Sequence, residues 1–590
     1  MSDTVTETVY ENPVVKGTAP DPSLIRVGDD FYLATSTFNF LPGVTIRHST
    51  DLVNWRIIGG AITRPAQYRR DGKPGGLMLF APTLRYAEGT FYLVCTNVAD
   101  EQGNFVVSTT DPAGEWSDAV WIDTVAFDPS LLYDNGTWYY TRRTLAPRAD
   151  GRLGPVVQAE LNITTGELGE LRELTQNYGG FVTNDIEGPH LYRIGYWYYL
   201  FSAEGGSWKG HMQSCARSRS PWGPFEPAPN NPVLTHRNRV GHPIQTLGHA
   251  ELVDAPDGSW WAVCLGTRHL AHGGFVSHHN LGRETFLLPV DWVDGWPVIG
   301  SAGTTELVVR PGRALPGASV ASSAVTAREI PLDIIRAAHG FWRAGWNTVG
   351  IAPDGLDAQG FSERSGVDAN VVNSTAATGP EVTPAGAGAP VAAVSAQTVD
   401  SVSLPFGTDL ASNGGTIALG AVFLAQREDD AVFEATLDSI PDAPAAAGIA
   451  AYGDENHYFS LLVSTLADGS HQARFTRTLD DLTSEAVIDL GAASGSVLFR
   501  IEATAAAYAF SIRLGDAAAP GALTEVGRGT ARLLSAETAE TFVGVRFALV
   551  AINGTATGIE PARFSGVTAT SYSFTSFADV GAPTGSTRGR

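Results

Sequence analysis

The chain has 590 residues, 43% of them hydrophobic and 17% charged, and 62 Asp and Glu against 39 Lys and Arg leave a net charge of −23. A surface this acidic repels phosphate backbones and anionic lipid, which argues against nucleic acid and membranes as partners but not against a neutral sugar. No apolar run approaches the ~20 residues needed to cross a bilayer, and 65 Gly with 34 Pro favour many turns and short strands.

The first residues, MSDTVTETVYENP, have neither the basic nor the apolar region of a secretory signal, so a cytoplasmic protein is expected. From Asp21 onward one template recurs five times: a short strand, a Gly or Asp turn, and an aromatic strand. The copies are DPSLIRVGDDFYLATST, APTLRYAEGTFYLVCTN, DPSLLYDNGTWYYTRR, EGPHLYRIGYWYYLFSAE and HAELVDAPDGSWWAVCLGT, opening at Asp21, Ala81, Asp128, Glu187 and His249. The first residue precedes the aromatic one (Tyr32, Tyr92, Tyr139, Tyr198) by 11 residues in four copies, and precedes Trp261 by 12 in the fifth. Alternating residues around GD, NG and DG turns predict antiparallel hairpins. Five such units predict a five-bladed β-propeller over residues 10–309, with a long β-sandwich as the alternative.

All 13 Trp lie between Trp55 and Trp346. A Pro-, Gly- and Ala-rich stretch at 310–331 reads as the inter-domain linker, and a short helix is weakly signalled near LDIIRAAHGF. Residues 332–576 alternate as strands without a blade-like repeat, which predicts a β-sandwich. Within it, 375–397 reads as a flexible insertion, and 577–590 as a disordered tail. Cys95, Cys215 and Cys264 are odd in number, lie in apolar runs and form no CxxC pair, so buried free thiols are expected.

In a propeller the first strand of each blade lines the axis. Repeat register therefore gathers Asp21, Ala81, Asp128, Glu187 and His249 at one end of a central channel. Crowded carboxylates shift one another's pKa values and mark a candidate site. Such a group suits binding of a cation by oxygen ligands or hydrolysis of a glycoside by a pair of acids. Phe38, Phe40, Tyr68, Phe80 and Trp208 are candidates for stacking on sugar rings, with ordinary packing as the alternative. His211, and His269, His272, His278 and His279 in a loop at the channel mouth, match no metal-binding spacing, and no metal site is assigned.

At these residues the chain resembles glycoside hydrolase family 43, the β-xylosidases and α-L-arabinofuranosidases above all. The resemblance rests on NPVVKGTAPDPSLIRVGDDFYLATSTFNFLPGVTIRHSTDLVNW, LFAPTLRY, FDPSLLYDNG, EGPHLY, SRSPWGPFEP, GHAELV and LGRETFLLPVDWVDGWPV. It is dense over residues 12–300 and weaker over 330–575, where WNTVG and FVGVRFALVAINGTATGIEPARFSG resemble the family's C-terminal, concanavalin A-like sandwich. The insertion around 366–401 departs from it. The resemblance implies an inverting mechanism with Asp21 as general base, Glu187 as general acid and Asp128 orienting the acid and tuning its pKa. It further implies that Phe38 packs on the terminal sugar and that Arg283 reaches the substrate or partners Asp128, a plain ion pair being the alternative.

His249 in some relatives helps hold a divalent ion, often calcium. No cofactor is required here, and a structural calcium near His249 stands beside a neutral His249 bonded to channel groups or water. Phe80 takes a place where many family β-xylosidases have Trp, which leaves the choice of pentose open. The expected activity is exo-acting release of terminal β-1,4-linked xylose from short xylo-oligosaccharides, or α-L-arabinofuranosidase activity, with a homo-oligomer left open. Fructan hydrolysis is disfavoured by PDPS in place of NDPN and by the lack of RDP. A non-catalytic sugar-binding propeller is disfavoured because all three acids are present.

Overall fold

A computed structural model describes residues 9–69, 77–98, 103–124, 126–145, 154–175, 186–272, 276–317, 346–349, 357–359, 362–365, 393–407, 410, 420–492, 495–515, 522–552 and 560–572. The chain divides into two units, Met1–His269 with Arg283–Ile334, and Leu270–Gly282 with Ile335–Arg590.

The first unit is the five-bladed propeller. Its blades are antiparallel sheets of four strands that follow chain order from the axis outward, and in the fourth blade Leu234–Thr235 adds a fifth strand beside Met212–Ser218. Their innermost strands are Ser23–Val27, Leu79–Ala87, Ala126–Asp134, Glu187–Ile194 and Ile244–Asp254. Four blades turn from first to second strand in two residues, with positive φ at Gly28, at Glu88 and Gly89, at Asn135 and Gly136, and at Gly195. The fifth uses the longer turn Ala255–Ser259, closed by the Gly258 amide donating to the Ala255 carbonyl.

One leucine per blade (Leu24, Leu84, Leu131, Leu191 and Leu252) is buried at the same depth of the innermost strand. Four of them fall in separate clusters between neighbouring blades. Each such burial is worth ~1.5–3 kcal/mol, so the blades are joined mainly by apolar contact. Hydrogen bonds then fix the register around the ring. The Ser23 hydroxyl accepts the Leu84 amide, Thr83 donates to the Pro129 carbonyl, Asp128 accepts the Gly188 amide, and the Tyr192 hydroxyl accepts the Leu252 amide. Ser23 donates to Glu251, which closes the circle.

The N-terminal segment seals the first unit. Tyr10–Glu11 pairs with Val308–Val309, and the Asn12 side chain bonds both the amide and the carbonyl of Leu287. Within the stretch 310–331, Arg313 bonds the Val290 carbonyl and pairs with Asp291; residues 318–331 lie outside the described residues.

The second unit is a β-sandwich. One sheet orders Leu482–Gly491, His471–Leu479, His457–Thr465, Ala446–Asp454, Arg546–Ile552, Ala421–Ala425 and Trp346–Val349. The other runs from Asp357–Gln359 through Ala393–Leu404, Ala562–Tyr572, Ala431–Leu437, Val497–Ala503 and Ala507–Leu514 to Thr524–Thr530. Phe433 stacks on Phe547 at 5.3 Å between them.

Two expectations need correction here. Residues 393–397, inside the stretch taken as a flexible insertion, belong to a strand paired with Ala562–Tyr572. The segment carrying His272 and His278 is a hairpin, Leu270–His272 with Val276–His278, rather than a loop, and it belongs to the second unit. There the Asn280 side chain bonds the Ala531 carbonyl and the Tyr508 hydroxyl. The helix signalled near LDIIRAAHGF, residues 366–392 and the tail at 577–590 lie outside the described residues.

Candidate active site

At the mouth of the axis each innermost strand contains, or in the first blade follows, a residue of left-handed backbone. Asp21 has φ 52°, Ala81 35°, Asp128 52°, Gly188 53° and His249 49°. Two residues later the hairpin pairing starts in the first blade, Ser23 with Ala34, and resumes after a register shift in the others: Thr83 with Val94, Ser130 with Thr141, His190 with Phe201, and Glu251 with Val263. The equivalent position in blade four is thus Gly188, and Glu187 stands one residue upstream, correcting the register read from the repeat. Non-glycine residues in this region cost on the order of 1 kcal/mol each. Four of them at one end of one channel show the fold holding side chains where local preference would not.

Asp21 and Asp128 are buried, and Glu187 keeps 17% of its side chain exposed. Burial alone would raise the Asp21 pKa. The Arg283 guanidinium at 3.1 Å, the His249 ring with Nδ1 at 3.5 Å and the Ser36 hydroxyl at 2.7 Å outweigh it and hold the carboxyl well below the usual range. Asp128 goes the other way. Burial pushes its pKa up, the Asp21 charge adds to this, and His249, the Gly188 amide at 2.9 Å and Arg143 pull against it. Two carboxyls in one cluster are therefore driven apart, a pattern that separates acid and base duties.

Glu187 is held by Arg143, whose Nη1 lies 2.7 Å from Oε2 and whose guanidinium sits 4.8 Å from the Phe127 ring centre. His249 lies against Asp21. Burial opposes its charge, but the hydrogen bond to Asp21 and the charges of Asp128, Asp21 and Glu187 push its pKa up to about 9. Arg283 pairs with Asp21 rather than Asp128, reaches the Ser207 hydroxyl at 3.2 Å, and lies 5.3 Å from the Phe38 ring centre.

Phe38 is buried and meets the half-buried Phe80 edge-on at 5.0 Å. Phe40 is buried, Tyr68 half-buried, and Trp208, next to Ser207, 45% exposed. His211 packs over Gly248, where a Cβ would come within 2.5 Å of its ring, and bonds the Thr246 carbonyl at 2.8 Å; burial pulls its pKa down to about 4. His269 lies in the first unit and bonds the Pro243 carbonyl through its amide, whereas His279 lies in the second and pairs with Glu537. The three cysteines are buried free thiols whose pKa values burial raises.

Sequence reasoning missed Arg143, Ser36 and Ser207, which lie outside the repeat's first position. It also missed the polar ring of Ser23, Thr83, Ser130, His190 and Glu251, all buried. Its signal was there to read, two residues after Asp21, Ala81, Asp128 and His249.

Residues 10–297 match the glycosyl hydrolases family 43 model, and residues 420–568 match that of the β-xylosidase C-terminal concanavalin A-like domain. The non-reducing end α-L-arabinofuranosidase BoGH43B of Bacteroides ovatus is 35% identical over 570 residues, covering 94% of this chain and 93% of the relative. A xylosidase/arabinosidase of Butyrivibrio fibrisolvens is 40% identical over 301 residues, 49% of this chain and 56% of the relative. The crystal structure of a xylan β-1,4-xylosidase from Bacillus halodurans superposes with a TM-score of 0.74 at 25% identity, over 95% of this chain and 99% of that one. The chain belongs to glycoside hydrolase family 43 and is a glycoside hydrolase, a five-bladed β-propeller with a C-terminal β-sandwich.

Proposed function

We propose that the chain is an exo-acting, inverting pentosidase that releases terminal β-1,4-linked xylose from short xylo-oligosaccharides. The observation that carries this is the opposed electrostatics of Asp21 and Asp128 beside Glu187. Asp21, held ionised by Arg283 and Ser36, takes a proton from water as the water attacks the anomeric carbon. Glu187 gives a proton to the leaving glycosidic oxygen as that bond breaks. Asp128 grips the peptide that follows Glu187 and tunes its proton affinity. The acid–base pair should stand ~6.5–9.5 Å apart, room enough for the water. The buried polar ring beneath the cluster floors the site, which supports binding of one terminal sugar and so exo action.

A second reading, α-L-arabinofuranosidase activity in the same site, draws support from the arabinofuranosidase that aligns over nearly the whole chain and from Phe80. Proton NMR of the first-formed sugar and a panel of nitrophenyl pentosides test both. Inverted product, xylose from xylobiose and xylotriose, and near-inert xylan are expected. Retained configuration would sink the mechanism, and rapid fragmentation of xylan would sink exo action. A dominant arabinofuranoside rate would transfer the assignment to the second reading.

A further inference from the structure

We infer that the propeller axis carries its own cation, the Arg85 guanidinium, beneath the acid cluster, and that this enzyme neither holds nor needs a divalent ion there. The residues near His249 do not fit the calcium that the resemblance admits. A hard divalent cation takes six to eight oxygen ligands. Beside His249, the Asp21 carboxylate is taken up by Arg283 and Ser36; the next carboxylate, Glu251, is fully buried and its oxygens are engaged. Oε1 accepts the Ser23 hydroxyl at 2.9 Å and lies 3.0 Å from His190 Nδ1; Oε2 accepts the Leu24 amide at 3.2 Å and Arg85 Nη1 at 3.1 Å.

Two further hydroxyls of the ring are spoken for, and Ser130 Oγ alone of the ring's hydroxyls has no hydrogen-bond partner. Ser23 also accepts the Leu84 amide, and Thr83 donates to the Pro129 carbonyl. Arg85 is fixed from both sides, donating Nε to the Leu131 carbonyl at 2.8 Å and Nη1 to the Leu84 carbonyl at 2.7 Å. Charge repulsion from this guanidinium disfavours a second cation nearby. His190, whose ring centre lies 5.5 Å from that of His249, offers one imidazole nitrogen, enough to bind a water but not a calcium. A chain of contacts thus runs from Arg85 through Glu251 and His190 to His249 and Asp21, anchored on a charge the polypeptide supplies.

The test uses the full chain, stripped with EDTA and titrated with calcium or magnesium chloride. Melting temperature, heat of binding and pentosidase rate are followed together. The Tm should stay constant through millimolar metal, with no saturable heat and no change in rate. A saturable rise in Tm, or activity lost to EDTA and restored by calcium, overturns the inference. Arg85→Gln should lower the Tm and move the acid limb of the pH–rate profile upward, because a positive charge beneath the carboxyls is gone. A variant with the parent's Tm and profile would also overturn it. The Tm and heat do not depend on which sugar is cleaved, so failure here is distinguishable from failure of the pentosidase reading.

Discussion

The two units bury different chemistry. Along the propeller axis the buried groups are ionisable and opposed, with Asp21 pushed down while Asp128 and His249 are pushed up. Between the sheets of the sandwich the filling is aromatic, with Phe433 stacked on Phe547 and Phe423 against Tyr452 at 4.8 Å. Glycine follows the same division. Gly529 and Gly527 exist to let Phe459 and Phe475 lie on the backbone, since a Cβ would come within 2.1 and 2.2 Å of those rings. Gly188 instead frees a backbone turn beside an acid. The contrast teaches that packing sets stability in one unit while strained register sets chemistry in the other.

The largest expected effect separates the units directly. Glu187→Gln or Asp21→Asn should lower kcat by roughly 10²–10⁴-fold, and Asp21→Asn should lower the Tm as well, because it removes the carboxylate that pairs with the buried Arg283. Substrates with activated leaving groups should suffer least from Glu187→Gln, because they need less protonation. Phe433→Ala should instead cost about 3–5 kcal/mol of stability while leaving the pH–rate profile of the folded enzyme in place. Denaturant titration beside kinetics checks both, and a shifted profile in Phe433→Ala would break the comparison.

Gly188→Ala comes next. Its φ of 53° disfavours a side chain, and the new Cβ would lie 2.9 Å from the His249 ring. A stability loss of about 1–3 kcal/mol should come with a fall in kcat, since the strain falls beside Glu187. Equal activity and Tm in that variant would show that the register of blade four is loose.

A pH dependence sharpens the electrostatic side. The folded pKa of His249 lies above its unfolded value of ~6.5, so folding favours its protonated form. That stabilisation is complete below pH ~6.5 and is lost as pH rises through about 9. The Tm gap between the parent and His249→Gln should therefore be widest near pH 6 and close by pH ~9.5. A gap that widens with pH would reverse the assigned charge. The smallest effect is expected of Phe80→Trp, a few-fold shift of the xyloside-to-arabinofuranoside rate ratio, as the larger ring reshapes the wall that Phe38 packs against. An unchanged ratio would place the sugar elsewhere.

Much of the propeller was legible because hairpin chemistry is local. A two-residue turn and an alternating strand announce themselves within a dozen residues, and their repetition brings Asp21, Asp128 and His249 to one end. Glu187 was found but assigned one register off. The template aligns EGPH with DPS at its first letter, whereas the backbone aligns them at Gly188, the residue that accepts left-handed φ without cost. Arg143 was invisible because its partner, Glu187, is 44 residues away and on another blade. Residues 393–397 were misread for a related reason. Their Ala, Val, Ser and Gln look featureless alone, and only the pairing with Ala562–Tyr572 makes them a strand.

By itself the sequence determined the blade count and pointed to the three acids, because these follow from periodicity and residue chemistry. Tertiary structure alone decided which charge answers which: Arg283 to Asp21, Arg143 to Glu187, Arg85 to Glu251. Each of these pairs joins different blades, and Coulomb attraction in a buried channel depends on distances and desolvation that exist only once the ring of blades has closed.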